Sequence, residues 1–244
     1  MRRFFIRTSL GEEMVIRDQN VHHIHNVLRL QAGDLITVLD PEGRAGIAEI
    51  KECTADAVRL ALQGILEETK EAPLSIYLAQ GLPKSDKMDY IIQKAVELGV
   101  TAIYPVQTEH SMVRYDAVKK ASRRERWQKI SEEAAKQCGR SLVPFIEPIQ
   151  NYVDLFSRIP PEAIVLMLYE GTAEQGLKQV LKDNPGKTYF LLVGPEGGFS
   201  DEEVMKAQKQ GSVITTIGPR ILRTETASLA AIAMVMYEYG DMGG

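Results

Sequence analysis

This sequence of 244 residues contains few cysteines and no long apolar run. Its two cysteines, Cys53 and Cys138, are too few for a disulfide framework or a four-cysteine metal site. The longest uninterrupted apolar run, Leu229–Tyr237, has nine residues, whereas a membrane-spanning helix needs about 20. The N-terminal segment MRRFFIR has no apolar stretch long enough for a signal peptide. We therefore expect a cytoplasmic protein with no membrane segment, no disulfide and no bound metal.

The sequence also lacks an excess of basic residues. It has 29 Lys and Arg against 33 Asp and Glu, a formal net charge of −4. Its 44% hydrophobic and 25% charged residues are typical of a globular protein, which excludes a disordered chain, a collagen or a coiled coil. Because nucleic-acid-binding domains are usually basic, the net charge by itself argues weakly against general nucleic-acid binding.

The pattern changes near residue 70, which predicts two domains, 1–72 and 73–244. In the first, strand-like runs alternate with turn signals, and Asp40-Pro41-Glu42-Gly43 predicts a hairpin. One helix with Asn20 as its N-cap interrupts the strands. The predicted strands are Arg3–Arg7, Leu35–Asp40, Ala45–Cys53 and Ala57–Leu66. The pattern indicates a small antiparallel β-barrel or sandwich, followed by a charged connector, Glu67–Pro73.

Beyond the connector, strands and helices alternate, which predicts an α/β domain with a mostly parallel sheet. The strands are continuous apolar runs, as expected for parallel strands that are buried on both faces. They are predicted at Leu74–Gln80, Thr101–Val106, Ala163–Tyr169, Thr188–Gly194 and Val213–Ile217. Capping boxes at Ser122–Glu125 and Ser200–Glu203 predict the starts of two helices, which end at Gly139 and Gly211.

Two loops that follow predicted strands have an unusual composition. The first, GPEGGFS at 194–200, concentrates three glycines, so its backbone can approach a ligand closely. The second, 217–227, carries two arginines and a glutamate beside an apolar helix. Since ligands bind at the carboxyl ends of parallel strands, the two loops suggest an adenosine-sized ligand recognised mostly by backbone groups. Neither loop matches the dinucleotide fingerprint or the P-loop. The alternatives are a tight turn and a surface ion pair between Arg223 and Glu225.

The motifs GPEGGFS (194–200) and IGPRILRTETA (217–227) resemble the paired loops of the SPOUT superfamily of S-adenosylmethionine-dependent RNA methyltransferases. The 16S ribosomal RNA uridine-N3 methyltransferase family is the most similar, and the resemblance covers the whole chain. It includes VHHI from residue 21, GLPK from residue 81 and WQKI from residue 127. The chain departs from this family at Glu109-His110-Ser111, where relatives often carry an arginine before the serine.

The resemblance implies an α/β SPOUT-type methyltransferase domain with a C-terminal trefoil knot, preceded by a small PUA-like RNA-binding β-barrel. It also implies that S-adenosylmethionine lies bent in the knot loops. The cofactor-binding residues implied in this way are Leu192, Val193, Gly194, Glu196, Gly198, Ile217, Gly218, Leu222, Arg223, Thr226 and Ala227.

The reaction implied by the resemblance is methylation at N3 of a specific uridine in 16S ribosomal RNA. The N3 proton must leave for the nitrogen to attack, so a base, or a cation beside the uracil carbonyls, would accelerate the reaction. Arg223 is the candidate for electrostatic stabilisation. Glu225 is the candidate that orients this arginine or accepts the proton.

One basic segment is a candidate RNA-binding surface, although the net charge of the whole chain is negative. Residues 114–140 contain nine Lys and Arg against four Asp and Glu, a local charge of +5. A solvated helix face is the alternative, but phosphate contacts of this kind position RNA without reading its sequence. The candidate RNA-binding residues are Arg2, Arg3, Arg7, His22, His23, Arg29, Lys84, Lys87, Arg114, Arg123, Arg124, Gln137 and Arg140.

The last helix, Thr226–Tyr239, is apolar on all sides, which indicates burial all round. We expect a homodimer through this helix; the alternative is burial within one subunit.

The predicted partners are 16S ribosomal RNA or the assembled small ribosomal subunit. Two other functions stay open: a SPOUT enzyme acting elsewhere on rRNA or tRNA, such as a ribose 2′-hydroxyl, and a non-catalytic ribosome-assembly factor. His22, His23 and His25 lack cysteine or acidic partners at metal-ligand spacing.

Overall fold

The computed structural model describes residues 2–66, 71–171 and 175–243. The chain forms two compact units, Met1–Glu71 with Ala135–Val143 and Ala72–Ala134 with Pro144–Gly244. The domain boundary after residue 72 remains a prediction, and residues 67–70 of its connector lie outside the described residues.

The segment 135–143 is held in the first unit by a buried ion pair. Arg140 is only 8% exposed, and its Nη2 donates a hydrogen bond to Glu71 Oε2 at 2.6 Å. Glu71 Oε1 accepts the backbone N–H groups of Ser141 and Leu142. Burial by itself would raise the pKa of Glu71, but these hydrogen bonds and the charge of Arg140 lower it below its usual value.

The described part of the first unit contains β1 (Arg3–Phe5), β2 (Glu13–Ile16), α1 (Gln19–His22), β3 (Leu35–Leu39), β4 (Ala45–Cys53) and β5 (Val58–Leu66). The strands form a sheet in the order β1-β3-β4-β5-β2, in which only the β1–β3 pair is parallel. Alternate apolar residues of this sheet pack with Val21 and Ile24 into one core. The predicted hairpin at 40–43 is confirmed, since Leu39 pairs with Ala45.

The N-cap of α1 is Asp18, so the prediction of Asn20 at this position was wrong. Asp18 Oδ1 accepts the backbone N–H of Asn20 at 2.9 Å, which satisfies one free N–H of the first turn. Asn20 is buried instead, and its side-chain amide donates to the carbonyl oxygen of Phe5. The helix continues as a π-helical turn over His23–Val27.

The second unit alternates strands and helices, as predicted. Its described elements are β6 (Ser75–Gly81), α2 (Lys87–Glu97), β7 (Ala102–Gln107), α3 (Ala117–Cys138), β8 (Phe145–Ile146), β9 (Gln150–Asn151), α4 (Tyr152–Leu155), β10 (Ile164–Leu168), β11 (Gln175–Gly176), α5 (Leu177–Asp183), β12 (Thr188–Val193), α6 (Asp201–Lys209), β13 (Val213–Thr216) and α7 (Thr224–Tyr239). All strand pairs are parallel, and the fold class is confirmed. The trefoil knot remains a prediction.

One of the two predicted capping boxes is present. Ser200 and Glu203 form the reciprocal hydrogen bonds of a capping box at the start of α6. Ser122 lies inside α3, which begins five residues earlier at Ala117, so the box predicted there was wrong. Asp116 supplies the cap, because its Oδ1 accepts the backbone N–H of Lys119 at 2.8 Å.

The strand order decides which loops meet. The sheet runs β11-β13-β10-β12-β6-β7-β8, so β10 lies between β12 and β13. The two loops singled out in the sequence therefore leave strands that are not neighbours, and the loop after β10 emerges between them. None of the helices in the described ranges has the length and hydropathy that a membrane crossing requires.

Candidate active site

A cavity of about 400 Å³ opens at the carboxyl ends of β10, β12 and β13. Its walls come from three loops, one after each of these strands, together with the start of α7 and one side chain from α2. The lining residues are Lys87, Leu168, Tyr169, Glu170, Val193, Gly194, Pro195, Glu196, Gly198, Phe199, Thr216, Ile217, Gly218, Pro219, Arg220, Ile221, Leu222, Arg223, Thr224 and Ala227.

Most of the predicted cofactor-binding residues line this single cavity. Those that do are Val193, Gly194, Glu196, Gly198, Ile217, Gly218, Leu222, Arg223 and Ala227. Leu192 does not reach the cavity, since its side chain is fully buried in the core of the sheet. Thr226 is an exposed residue of the first turn of α7 and is not among the lining residues.

The loop at 194–200, called the glycine loop below, leaves little room for a side chain at Gly194 or Gly198. Gly198 has φ +67°, a left-handed conformation that favours glycine. A Cβ on Gly194 would lie 3.0 Å from the carbonyl carbon of Gly198. A Cβ on Gly81, at the end of β6, would lie 2.5 Å from Pro195 Cδ. The cavity wall is therefore bare backbone at Gly194 and Gly198, a surface suited to recognition of a flat ligand by N–H and C=O groups.

A buried polar network fixes the loop after β12 to the start of α7. Gln80 is fully buried, and its amide donates to Thr224 Oγ1 at 2.9 Å. Thr224 Oγ1 donates in turn to the carbonyl oxygen of Gly194 at 2.6 Å. Ser228 donates to Gln80 Oε1 and closes the network. Because each of these buried polar groups is satisfied, the network holds two walls of the cavity in a fixed arrangement.

Lys87 and two carboxylates form a charged cluster, in which Lys87 and Glu196 line the cavity and Glu225 lies outside the lining. Lys87 Nζ lies 3.0 Å from Glu196 Oε1 and 3.2 Å from Glu225 Oε2. The hydrogen bond to Glu196 is the main cause that raises the pKa of Lys87, so its ammonium group stays protonated. Burial acts to raise the pKa of Glu196, but hydrogen bonds from Lys87 and from backbone N–H groups, including that of Lys84, lower it overall. Lys87 also forms an ion pair with Glu225, but the geometry of this contact is not that of a hydrogen bond. Glu225 Oε2 is buried and has no hydrogen-bond donor among the described residues.

Arg223 lies at the N-cap position of α7, where its exposed side chain lines the cavity. The surface ion pair of Arg223 with Glu225 is not formed, because Glu225 pairs with Lys87. No ion pair of Arg223 occurs within the described ranges. Its guanidinium group is therefore available to a negatively charged or carbonyl-bearing ligand.

His110 lies against the glycine loop. Its Nδ1 is 2.8 Å from the carbonyl oxygen of Gly197, so this nitrogen carries the hydrogen and donates it. The backbone N–H of the preceding Glu109 donates to Glu203 Oε1 at 2.9 Å, which ties this segment to α6. His110 thus contacts the loop that forms one wall of the cavity.

The predicted RNA-binding residues of the second unit differ in their surroundings. Lys84 and Arg114 have exposed side chains. The guanidinium group of Arg123 lies over the ring of Tyr115, with 5.7 Å from Cζ to the ring centroid. Arg124 stacks in the same way over Phe145 at 5.0 Å, and its Nε donates to the carbonyl oxygen of Ile146. Lys87 is engaged by two carboxylates, as described above.

Most of the corresponding residues of the first unit are exposed: Arg2, Arg7, His22, His23, Arg29 and Gln137. Arg3 donates a hydrogen bond to the carbonyl oxygen of Gly139. Arg140 is buried, and its charge is compensated within the fold by Glu71. Among the described residues, no group of three or more His, Cys, Asp or Glu side chains is arranged to hold a metal ion.

The sequence patterns missed the loop after β10 and the polar network. Leu168, Tyr169 and Glu170 line the cavity, although nothing in their composition distinguishes them from other residues after an apolar strand. Gln80 had one available signal, since it is a polar residue at the end of a strand that is otherwise apolar. A buried amide in such a strand needs partners, which predicts a structural network.

Two family models match the chain. The model described as "RNA methyltransferase domain" matches residues 70–236, and the model described as "RNA methyltransferase PUA domain" matches residues 16–62.

Curated relatives and a solved structure match nearly the whole chain. The ribosomal RNA small subunit methyltransferase E of Bacillus subtilis is 35% identical, with 98% of this chain and 97% of that protein covered. The protein of the same name from Buchnera aphidicola of Schizaphis graminum is 30% identical, with coverage of 98% and 97%. The crystal structure of the Neisseria gonorrhoeae ribosomal RNA small subunit methyltransferase E, bound to S-adenosyl methionine, superposes with a TM-score of 0.89. That enzyme is 37% identical over 99% of both chains.

Proposed function

The chain belongs to the ribosomal RNA small subunit methyltransferase E family, and from this premise we propose that it methylates N3 of one uridine in 16S ribosomal RNA, with S-adenosylmethionine as the methyl donor. The observation that carries the proposal is the shared cavity, in which the GPEGG loop and the IGPRILR loop face one ligand-sized space.

The residues of the cavity fit this cofactor. A volume of about 400 Å³ lies within the usual range of small-molecule sites. Bare backbone at Gly194 and Gly198 can approach a purine ring or a ribose closely, and Val193 and Leu222 supply apolar walls. We propose that the predicted residues which line the cavity form the cofactor site, with Arg223 acting mainly on the RNA, and that Leu192 supports this lining from the core of the sheet. Thr226 is exposed outside the lining, so we assign it no cofactor contact.

The chemistry requires a methyl donor, a positioned nitrogen and the loss of a proton. When bound, S-adenosylmethionine supplies a methyl group on a positively charged sulfur. Arg223 places a guanidinium group at the cavity, where it would stabilise negative charge on the uracil carbonyl oxygens as the N3 proton leaves. Glu225 would accept this proton, directly or through water.

Lys87 gives these two roles a structural basis. It was predicted as an RNA-binding residue, but its ammonium group lies between Glu196 and Glu225. Glu225 is therefore held at its place by Lys87 and not by Arg223. We infer that Lys87 positions the carboxylate, which leaves the charge of Arg223 for the RNA.

The RNA would be held by the exposed cations and not by all the residues of the basic segment. Arg140 stabilises the first unit through Glu71 and has only 8% exposure for any other contact. The exposed Lys84, Arg114, Arg2 and Arg7 are better suited to phosphate contacts. We propose 16S rRNA or the assembled small subunit as the partner, which implies a cytoplasmic site of action.

Deletion of the gene tests the proposal directly. We expect 3-methyluridine to disappear from 16S rRNA digests analysed by mass spectrometry, and to return when the wild-type protein is supplied. A variant with Arg223→Ala should not restore it. Loss of a ribose 2′-O-methyl mark with 3-methyluridine intact would instead identify another target for the same cofactor site.

We propose that the protein is a homodimer through α7. One face of this helix is buried against its own subunit by Ala231, Ile232, Val235 and Met236. The opposite face remains apolar but accessible, with Met234 at 43% and Tyr237 at 72% exposure. An exposed apolar face of this kind is typical of an interaction surface.

Light scattering tests the dimer at micromolar concentration. We expect the wild type to scatter as a dimer and Tyr237→Glu to scatter as a monomer, because a charge would be buried at the interface. Val153→Glu is the matched control, since Val153 is 63% exposed on α4 and distant in sequence from α7. A monomeric wild type would refute the interface.

A further inference from the structure

Glu170 is a carboxylate at the cavity that the reaction scheme above does not use. It follows β10 by two residues, lines the cavity and is exposed. Among the described residues, no hydrogen bond or ion pair engages its side chain. A carboxylate in this state has two oxygens that can accept hydrogen bonds from a bound ligand.

The residue before Glu170 is anchored by two hydrogen bonds, so the backbone that carries the carboxylate has a defined place. The backbone N–H of Tyr169 donates to the carbonyl oxygen of Thr215 at 3.0 Å, which ties the loop to β13. Tyr169 Oη donates to Asp201 Oδ1 at 3.2 Å, which ties it to α6. Tyr169 is therefore fixed from both sides.

The glycine loop leaves space for this carboxylate. A Cβ on Gly198 would lie 3.2 Å from Glu170 Oε1, closer than most real contacts of a Cβ atom. The absence of a side chain at position 198 thus lets Glu170 approach the glycine loop. Its carboxylate stands beside the backbone that is proposed to hold the nucleoside.

The strand order indicates which part of the cofactor Glu170 meets. Because β10 lies between β12 and β13, the loop that carries Glu170 emerges between the other two loops of the cavity. In S-adenosylmethionine the ribose lies between the adenine and the methionyl chain. We take the cofactor to span the two outer loops, in which case its ribose faces the middle one, whichever way round the cofactor lies.

We propose that Glu170 binds the ribose of the cofactor, with its two carboxylate oxygens accepting hydrogen bonds from the vicinal 2′- and 3′-hydroxyl groups. This inference rests on the proposed function, because it assumes S-adenosylmethionine in the cavity. Glu170 would be a binding residue that selects a ribonucleoside, and it takes no part in proton transfer.

Calorimetric titration with two nucleosides tests the inference without any turnover. S-adenosylhomocysteine and 5′-methylthioadenosine share the adenine, the ribose and a neutral thioether, but only the first has the amino-acid chain. We expect Glu170→Gln to weaken both ligands by a similar factor of about ten, as the loss of hydrogen bonds to a charged acceptor requires. Glu162→Gln, an exposed residue outside the cavity lining, should leave both affinities unchanged.

The outcomes separate the inference from the proposed function. If Glu170→Gln weakens only S-adenosylhomocysteine, the carboxylate binds the amino-acid chain and the ribose assignment is overturned. Unchanged affinity for both ligands also overturns it, while the cofactor site stands. If the wild-type protein binds neither ligand, the proposed function itself fails. A 2′-deoxy form of methylthioadenosine should bind the wild type more weakly than methylthioadenosine, and Glu170→Gln should cost it less affinity, because only its 3′-hydroxyl remains to be bound.

Discussion

Replacing Arg223 with alanine should lower kcat by about 100-fold and leave the affinity for S-adenosylhomocysteine within a few-fold of wild type. The side chain is exposed at the cavity and has no ion pair within the described part of the chain, so its removal disturbs little of the fold. Removal of one preorganised donor at a developing negative charge costs on the order of 100- to 1,000-fold in kcat. Single-turnover methylation of 16S rRNA or small subunits measures the rate, and calorimetry measures the affinity.

Two control variants distinguish the loss of the Arg223 charge from a general loss of structure. Arg223→Lys should retain part of the rate, since it keeps the positive charge but not the planar donor group. Arg158→Ala removes an exposed arginine outside the cavity lining and should be neutral. Glu225→Gln should also reduce kcat, because the amide cannot accept the proton and loses its ion pair with Lys87. Wild-type rates in both Arg223→Ala and Glu225→Gln would eliminate the proposed chemistry.

Replacing Gly81 with alanine should weaken the binding of S-adenosylhomocysteine by about 100-fold. The new Cβ would lie 2.5 Å from Pro195 Cδ, 2.6 Å from Pro195 N and 2.9 Å from the carbonyl carbon of Gly194. Two of these atoms belong to the backbone, so the end of β6 and the glycine loop must move apart. A displacement of about 1 Å takes the backbone hydrogen bonds to the ligand out of their usual range, and the loss of two or three such bonds, at about 1 kcal/mol each, gives a loss of this size. Calorimetry and the melting temperature should be measured together, since overpacking also costs roughly 1–3 kcal/mol of stability.

Gly176→Ala is the matched control for this variant. Gly176 lies at the start of α5 in the same unit, with φ −77°, a conformation that alanine adopts easily. A Cβ there would meet only the carbonyl oxygen of Thr216, at an ordinary 3.9 Å. We expect wild-type binding and stability. If Gly81→Ala bound the ligand as tightly as this control, the close approach of β6 to the glycine loop would not be important for the cavity.

Much of the fold could be predicted because its signals are local. Continuous apolar runs indicated the buried parallel strands, and each of the five long strands of the second unit appeared within two residues of its predicted ends. The capping box at Ser200 was confirmed, because both partners lie within one turn. The box at Ser122 was wrong because Asp116, just upstream, offered an earlier cap.

The site could be predicted only in part, because contacts depend on strand order. The motifs indicated the two loops at 194–200 and 217–227, and both line the cavity. The sequence did not indicate that β10 inserts between their strands and adds Glu170 as a third wall. It also did not indicate that Glu225 pairs with Lys87, since these residues are 138 positions apart.

The sequence by itself determined the family, the parallel α/β fold and the loops that carry the chemistry, since these depend on periodicity and on motifs of a few adjacent residues. The tertiary structure decided which charges are available. The same +5 segment contains the exposed Arg114 and the buried Arg140, and only folding distinguishes them. The physical reason is that a charge costs free energy to bury unless a partner compensates it, and that partner comes from a distant part of the chain.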